Sequence, residues 1–250
     1  MTDLTAKTVL ITGASSGIGH HFALTLSSQG ATVIAAARRL DALEALAKAA
    51  TGAGRIIPVA MDVTVTQSIE QALDEAEAKA GPIEILVNNA GIAHSARAVD
   101  IAEADYDRVF DTNVKGALFV ARAVGKRMIE RKIPGRIVNV ASVGGLVVMP
   151  QLTVYGMSKA AVIFMTKCLA REWARYDINV TALCPGYLAT ELNADYRAGE
   201  AGQKMMGSLP RRRPGEVGDL DASLALLIGG GESRLLNGTI LTADDGFHLG

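Results

Sequence analysis

The chain predicts a doubly wound α/β fold, a mostly parallel seven-stranded sheet with helices on both faces. Three observations predict it. Strand-like and helix-like segments alternate from one end to the other, the pattern of repeated βαβ units. The strand segments are continuous apolar runs, which implies burial on both faces. A glycine-rich turn joins the first strand to the first helix.

Residues 8–11 form the first strand and 18–28 the helix after the turn. Strand 32–36 leads to helix 40–50, strand 56–60 to helix 66–80, and strand 83–87 to a long helical region, 102–131, with a break near Asn113. Strand 136–140 precedes helix 154–176, strand 179–183 follows, and helix 217–228 leads to the last strand, 239–242. No linker rich in Pro, Gly or Ser divides the chain, so residues 1–250 are expected to form one Rossmann-type domain. Segment 187–215 breaks the rhythm with no clean strand, and a long connection at this edge of the sheet is expected to be a substrate lid.

Composition narrows the function. Charged residues make up 20% of the 250 and the net charge is −1. Such a chain has no strong long-range field for nucleic acid or anionic lipid, so neither is an expected partner. Cys168 and Cys184 follow no metal spacing and no CxxC pattern, and read as buried thiols in a reducing compartment. No metal is expected. The N-terminus lacks a signal-peptide pattern and no apolar run reaches the roughly 18 residues of a membrane span. A soluble, cytoplasmic protein is the expectation.

The turn Thr12-Gly13-Ala14-Ser15-Ser16-Gly17-Ile18-Gly19 lies between strand and helix. Glycine there permits positive φ and a close backbone approach to phosphate, and the helix N–H groups face a pyrophosphate. A carboxylate at the end of the second strand would take the ribose hydroxyls of NAD. That strand instead ends Ala35-Ala36-Ala37-Arg38-Arg39. A guanidinium binds a 2′-phosphate through paired hydrogen bonds, so NADP(H) is the expected cofactor and NAD(H) the less favoured one. Arg38 is the first choice of contact and Arg39 the second. Asp62, closing the third strand, reads equally as an adenine acceptor or as a turn cap.

Tyr155 and Lys159 stand four residues apart at the start of a helix, where i and i+4 share a face. A nearby ammonium lowers a phenol pKa. Moving Tyr155 from about 10 toward 7 needs roughly 4 kcal/mol, whereas a lone ammonium in water supplies about 1 kcal/mol. The site is therefore expected to be partly dry, with help from the positive charge of the oxidised nicotinamide.

These motifs stand in a set order: Thr12 to Gly19, Asp62-Val63, Asn88-Asn89-Ala90-Gly91, Asn113, Ser142, Tyr155 with Lys159, and Pro185-Gly186. With them the chain resembles the short-chain dehydrogenase/reductase family over essentially its whole length. The resemblance implies roles. Tyr155 would be the general acid or base, Ser142 would hydrogen-bond the substrate oxygen, Lys159 would tune Tyr155 and hold ribose hydroxyls, and Asn113 would keep a helix break that positions a proton-relay water. Gly13, Ser15, Ser16, Gly17, Ile18 and Gly19 would cradle the pyrophosphate, Asp62 and Val63 the adenine, and Asn89, Ala90 and Gly91 the adenosine side. Pro185, Gly186, Leu188 and Thr190 would contact the nicotinamide end. The rival readings are a strand-end cap for Ser142 and a helix N-cap for Asn113. Two departures stand out. Ser16 occupies a place that is basic in many NADP-preferring relatives, and Asp244-Asp245-Gly246-Phe247 replaces the family's Asp-Gly-Gly.

The expected substrate contacts are His94, Ser142, Val143, Gly144, Met149, Gln151, Tyr155, Tyr187, Met205 and Met206. This mainly apolar set suits a medium-sized ketone or secondary alcohol, making the chain a carbonyl reductase. Arg211, Arg212 and Arg213 keep a 3-oxoacyl-thioester reductase as the alternative. A non-catalytic NADP-binding regulator is the reading from another class. The helix after Tyr155 is apolar nearly all round, which points to a second subunit against it and a homodimer or homotetramer.

Overall fold

Seven strands form one sheet, and its carboxyl edge sets out every group discussed below. The strands are β1 (Thr8–Thr12), β2 (Thr32–Ala37), β3 (Arg55–Ala60), β4 (Ile85–Asn88), β5 (Gly135–Val140), β6 (Ile178–Pro185) and β7 (Ile240–Ala243). They run in the order β3-β2-β1-β4-β5-β6-β7, and every neighbouring pair is parallel. This computed structural model describes residues 4–190, 198–229 and 231–249.

Alternate strand residues feed two separate cores. Val9, Ile11, Val33, Ala35 and Val138 pack with Phe22 and Leu26 of α1 (Gly17–Ser28) and Leu43 and Leu46 of α2 (Leu40–Ala49). Leu10, Ile34, Ala36 and Ile137 pack on the opposite face. Their partners are Ile69 and Leu73 of α3 (Thr66–Ala80) and Val124 and Met128 of α5 (Ala117–Arg131). Both faces are covered, which is why the strands are apolar without alternation. The order reverses between β1 and β4, and a crevice at such a switch point is where open α/β sheets bind ligands.

The long helical region breaks where expected. It resolves into α4 (Glu103–Phe110), a π-helical turn (Asp111–Gly116) that holds Asn113, and α5. Such insertions are frequent at functional sites. Further on lie α6 (Thr153–Trp173), α7 (Glu200–Ser208) and α8 (Asp221–Ile228). The expected helix 217–228 begins instead as a 3-10 turn, Val217–Leu220, closed by a capping box between Glu216 and Asp219. β4 starts at Ile85 and not at Ile83, because Gly81 at φ +80° and Pro82 prolong the turn before it.

One expectation needs correction. Cys184 is buried, but Cys168 is exposed. It lies on the same outer face of α6 as Phe164, which is 68% exposed, and none of the described residues covers that face. Of the expected lid, residues 191–197 lie outside the described residues; the rest contains α7 and a bridge between Leu188 and Gly215. Among the described residues no helix is long and apolar enough to cross a membrane.

Candidate active site

A cleft of about 600 Å³ opens above the carboxyl ends of β1, β2, β4 and β5. One end is lined by Arg38 and Arg39, the other by Tyr155 and Lys159. Between them lie Gly13, Ser15, Ser16, Gly17, Ile18, Asp62, Val63, Asn89, Ala90, Gly91 and Thr190.

The glycine turn owes its path to residues that tolerate left-handed backbone, Gly13 at φ +68° and Gly17 at φ +57°. Gly19 also has a packing role. A Cβ there would stand 2.5 Å from Asn89 Nδ2 and 2.7 Å from Gly13 O, so this glycine lets helix and turn close on each other. Ser16 is the N-cap of α1 but makes no side-chain cap, and no acid occupies the first turn. The helix thus presents its N–H groups to the cleft without a resident carboxylate, the arrangement an anion requires.

The two arginines differ in a way the sequence did not show. Arg39 folds across the turn, its Nη2 donating to Ser15 Oγ at 3.0 Å and Ser16 Oγ at 3.2 Å. Arg38, the first choice, lines the cleft as well, near enough to Asp62 to help lower its carboxyl. Burial by itself would push the Asp62 carboxyl up. Hydrogen bonds from Thr64 N and Thr64 Oγ1, at 2.9 and 2.7 Å, together with Arg38, outweigh it and hold the carboxyl below its usual range. Asp62 therefore does act as a turn cap, through Oδ1.

The Asn88-Asn89 pair ties the turn to the middle of the sheet. Asn89 Nδ2 donates to Thr12 O at 2.9 Å, and Thr12 Oγ1 accepts from the N–H groups of Asn89 and Ala90, both at 3.0 Å. Buried Asn88 donates to Ala117 O at 2.7 Å and to Asn139 Oδ1, its register partner on β5, at 3.1 Å. Thr12 had no role in the sequence reading. Its place before Gly13 was the available signal.

Ser142, Tyr155 and Lys159 converge past the end of β5. Ser142 Oγ accepts from Gly144 N at 3.0 Å and so caps the turn Val143–Gly145. The same hydroxyl lies near the phenol of Tyr155 and acts to lower its pKa. The cap and the catalytic reading of Ser142 are compatible. Lys159 is 5% exposed, its Nζ donates to Val140 O at 2.9 Å, and it stands 5.8 Å from the centre of the Tyr155 ring. Burial pushes Lys159 down to about 8. Burial also raises Tyr155 above its ordinary value, despite the nearby Ser142 hydroxyl. The expected lowering by Lys159 belongs to the closed site with the oxidised nicotinamide bound; in the protein by itself burial sets the direction. Desolvation exceeds the lowering by Ser142 and holds the phenol protonated. Cys184, beneath, is pushed up to about 11 by burial and stays a neutral thiol.

Asn113 sits in the π-turn at 2% exposure with its amide saturated. Oδ1 accepts from Ile92 N at 2.8 Å, and Nδ2 donates to Ile92 O at 2.9 Å and Ser158 Oγ at 3.0 Å. It is not a helix N-cap, because it lies inside a continuous helical run.

The expected substrate contacts divide. A Cβ at Gly144 would stand 3.1 Å from Met149 Sδ and 3.5 Å from both Ser142 Oγ and Tyr155 Cε1, so Gly144 and Met149 do border the reacting groups. Val143 is buried at 2%. Gln151 is exposed at φ +65°, and its carbonyl accepts from Ala96 N. His94 is turned to α4, with Nε2 3.4 Å from Asp105 Oδ2. Pro185 is buried at the end of β6, off the cleft. Gly186, Tyr187 and Leu188 line a separate cavity of about 30 Å³ beside Asp244 and Asp245. Met205 and Met206 are half-buried on α7. Gln151 and His94 are set by loops, which periodicity does not reach.

The donor set fits a dinucleotide: open helix N–H groups, two guanidinium groups at one end, and a buried acid and ammonium at the other. Comparison with known proteins agrees. Residues 7–201 match the family model described as short chain dehydrogenase. The oxidoreductase UcpA of Salmonella typhimurium is 40% identical over 262 residues, covering 100% of this chain and 97% of the relative. A gluconate 5-dehydrogenase from Burkholderia cenocepacia, solved with NADP and tartrate, superposes with a TM-score of 0.93 at 32% identity, over 99% of this chain and 97% of the other. A 3-ketoacyl-(acyl-carrier-protein) reductase from Brucella melitensis, solved with NADH, gives 0.89 at 31% identity, over 98% and 99%.

Proposed function

The chain belongs to the short-chain dehydrogenase/reductase family and is an enzyme of CH–OH chemistry, and we propose that it is an NADP(H)-dependent carbonyl reductase for a medium-sized ketone. The observation that carries the proposal is one cleft with Arg38 and Arg39 at one end and Tyr155, with Ser142 close by, beside buried Lys159 at the other.

The first-turn N–H groups of α1 would hold the pyrophosphate, Arg38 and Arg39 the 2′-phosphate, and Asp62 and Val63 the adenine. Asn89, Ala90 and Gly91 would line the adenosine side, and Lys159 would take the ribose hydroxyls near the reacting end. A bound nicotinamide supplies or accepts the hydride. Tyr155 donates its phenolic proton to the carbonyl oxygen, a task suited to an acid that burial keeps protonated. Ser142 donates to the same oxygen, its rotamer held by Gly144 N–H. Met149, above Gly144, gives the pocket an apolar wall. Segment 187–215 would act as the lid. A second copy would cover the outer face of α6, where Phe164 is 68% and Met157 50% exposed, giving a homodimer or homotetramer.

Relatives solved with NADP and with NADH support no single nucleotide, so the choice rests on the end of β2. The double substitution Arg38→Asp/Arg39→Asp is expected to lower the NADPH-to-NADH ratio of kcat/KM by about 10- to 100-fold, the scale of hydrogen bonds to a charged group. A wild-type enzyme that prefers NADH, or a variant with the same ratio, counts against NADP(H). NADPH oxidation against ketones, aldehydes and 3-oxoacyl thioesters tests the substrate. Turnover of thioesters alone would favour the carrier-linked alternative. Arg211 already pairs with Asp245 Oδ1 at 2.8 Å, which leaves Arg212 and Arg213 to meet an anionic carrier.

A further inference from the structure

Ser158 stands between the two residues that the chemistry uses most, yet its side chain faces neither the cleft nor solvent. It is 0% exposed. Its Oγ donates to the carbonyl of Tyr155, one turn back, at 2.7 Å, and accepts from Asn113 Nδ2 at 3.0 Å. A serine bonding back to its own helix gains little from that bond alone, since the backbone bond of the helix competes for the same carbonyl. The second bond gives the hydroxyl its purpose. It joins the π-turn to the carbonyl of the reacting tyrosine.

Asn113 carries the link onward. Its remaining amide bonds run to both backbone groups of Ile92, in the loop after β4. Asn113 Oδ1 and Lys159 Nζ also flank one glycine. A Cβ on Gly91 would stand 3.3 Å from the first and 3.4 Å from the second. A shift of the Asn113 amide is therefore felt where Lys159 ends. We infer that Ser158 is a positioning residue, whose shared hydroxyl keeps the π-turn in register with the helix that carries Tyr155 and Lys159. Without that hydroxyl one Nδ2 hydrogen loses its acceptor inside a dry interior, and the amide must turn or move to recover one.

The inference rests on the proposed roles of Tyr155 and Lys159, so its test has an arm independent of turnover. Ser158→Ala and Ser158→Thr are made singly and in the Asn113→Ala background. Hydrogen–deuterium exchange over residues 111–116 is followed in the protein without added nucleotide. Reduction of the best ketone of the panel by NADPH is followed alongside. Ser158→Ala is expected to speed exchange in the π-turn by about tenfold and to lower kcat by about 10- to 100-fold, with KM for NADPH within about threefold, as for a small misplacement of reacting groups. Ser158→Thr restores both to within about threefold. In the Asn113→Ala background Ser158→Ala changes kcat by less than about twofold, because the two residues act as one unit. Should Ser158→Ala not fold, Ser158→Cys, a weak acceptor of similar size, takes its place with the same expected results. Unchanged exchange and kcat in Ser158→Ala, or effects that multiply in the Asn113→Ala background, overturn the inference. A wild-type enzyme inactive on the whole panel removes the proposed activity, and the exchange arm still decides the coupling.

Discussion

Tyr155→Phe is expected to lower kcat by about 10²- to 10⁴-fold, the range a positioned general acid supplies, while NADPH affinity stays within about threefold. The substitution removes one oxygen and keeps the ring, so the packing beside Gly144 and Lys159 survives. Ser142 retains its bond from Gly144 N–H and still reaches the substrate oxygen, but no acid with a transferable proton remains. The groups proposed for the nucleotide are mostly elsewhere, at the glycine turn and the end of β2. Steady-state rates together with a fluorescence titration of NADPH check both halves. A variant with a tenth or more of wild-type turnover would remove Tyr155 from the mechanism.

Lys159→Met is expected to do two opposite things. It should cost about 10²-fold or more in turnover, since Tyr155 loses the ammonium beside it and the ribose hydroxyls lose a donor. It should also make the nucleotide-free protein more stable at pH 7 by about 2 to 3 kcal/mol, because a buried charge is replaced by an apolar chain of similar size. The sign follows from the direction of the shift. Burial lowers Lys159 from 10.5 to about 8, so between those values the unfolded chain binds more protons than the folded one. Stability therefore rises with pH across that window, and the penalty is fully present below about 8. The gap between wild type and Lys159→Met should be largest at pH 7 and shrink as pH approaches 10.5. Denaturant melts at pH 7 and near pH 10 measure it, and a gap of the same size at both would contradict a buried, destabilised ammonium.

The sheet was readable because both its faces are buried. The runs at Val9–Ile11 and Val33–Ala36 have no polar alternation to conceal them. The break near Asn113 was readable as an interruption, but not as a π-turn, since one wide turn leaves no period of its own. Ser142, Tyr155 and Lys159 could be assembled from spacing and family likeness. Their electrostatics could not, because the sign for Tyr155 depends on how deeply the phenol is buried. Arg38 and Arg39 are adjacent in sequence and both line the cleft, and only the path of the chain after β2 decides that Arg39 crosses the turn to Ser15. His94 was placed toward substrate by its position after Gly91, but the carboxylate of Asp105 on the next helix holds it. Ser158 gave no signal. A small polar residue in a helix reads as a tolerated one until its two hydrogen bonds are seen.

The central claim is direct hydride transfer between NADPH and a carbonyl carbon in this cleft. NADPH deuterated at nicotinamide C4 should yield alcohol carrying one deuterium on the carbinol carbon, seen as a one-unit mass increase, with wild-type enzyme. Tyr155→Phe should form little product on the same time scale. Alcohol that takes its new carbon-bound hydrogen from solvent, or equal product from the Tyr155→Phe variant, would contradict it.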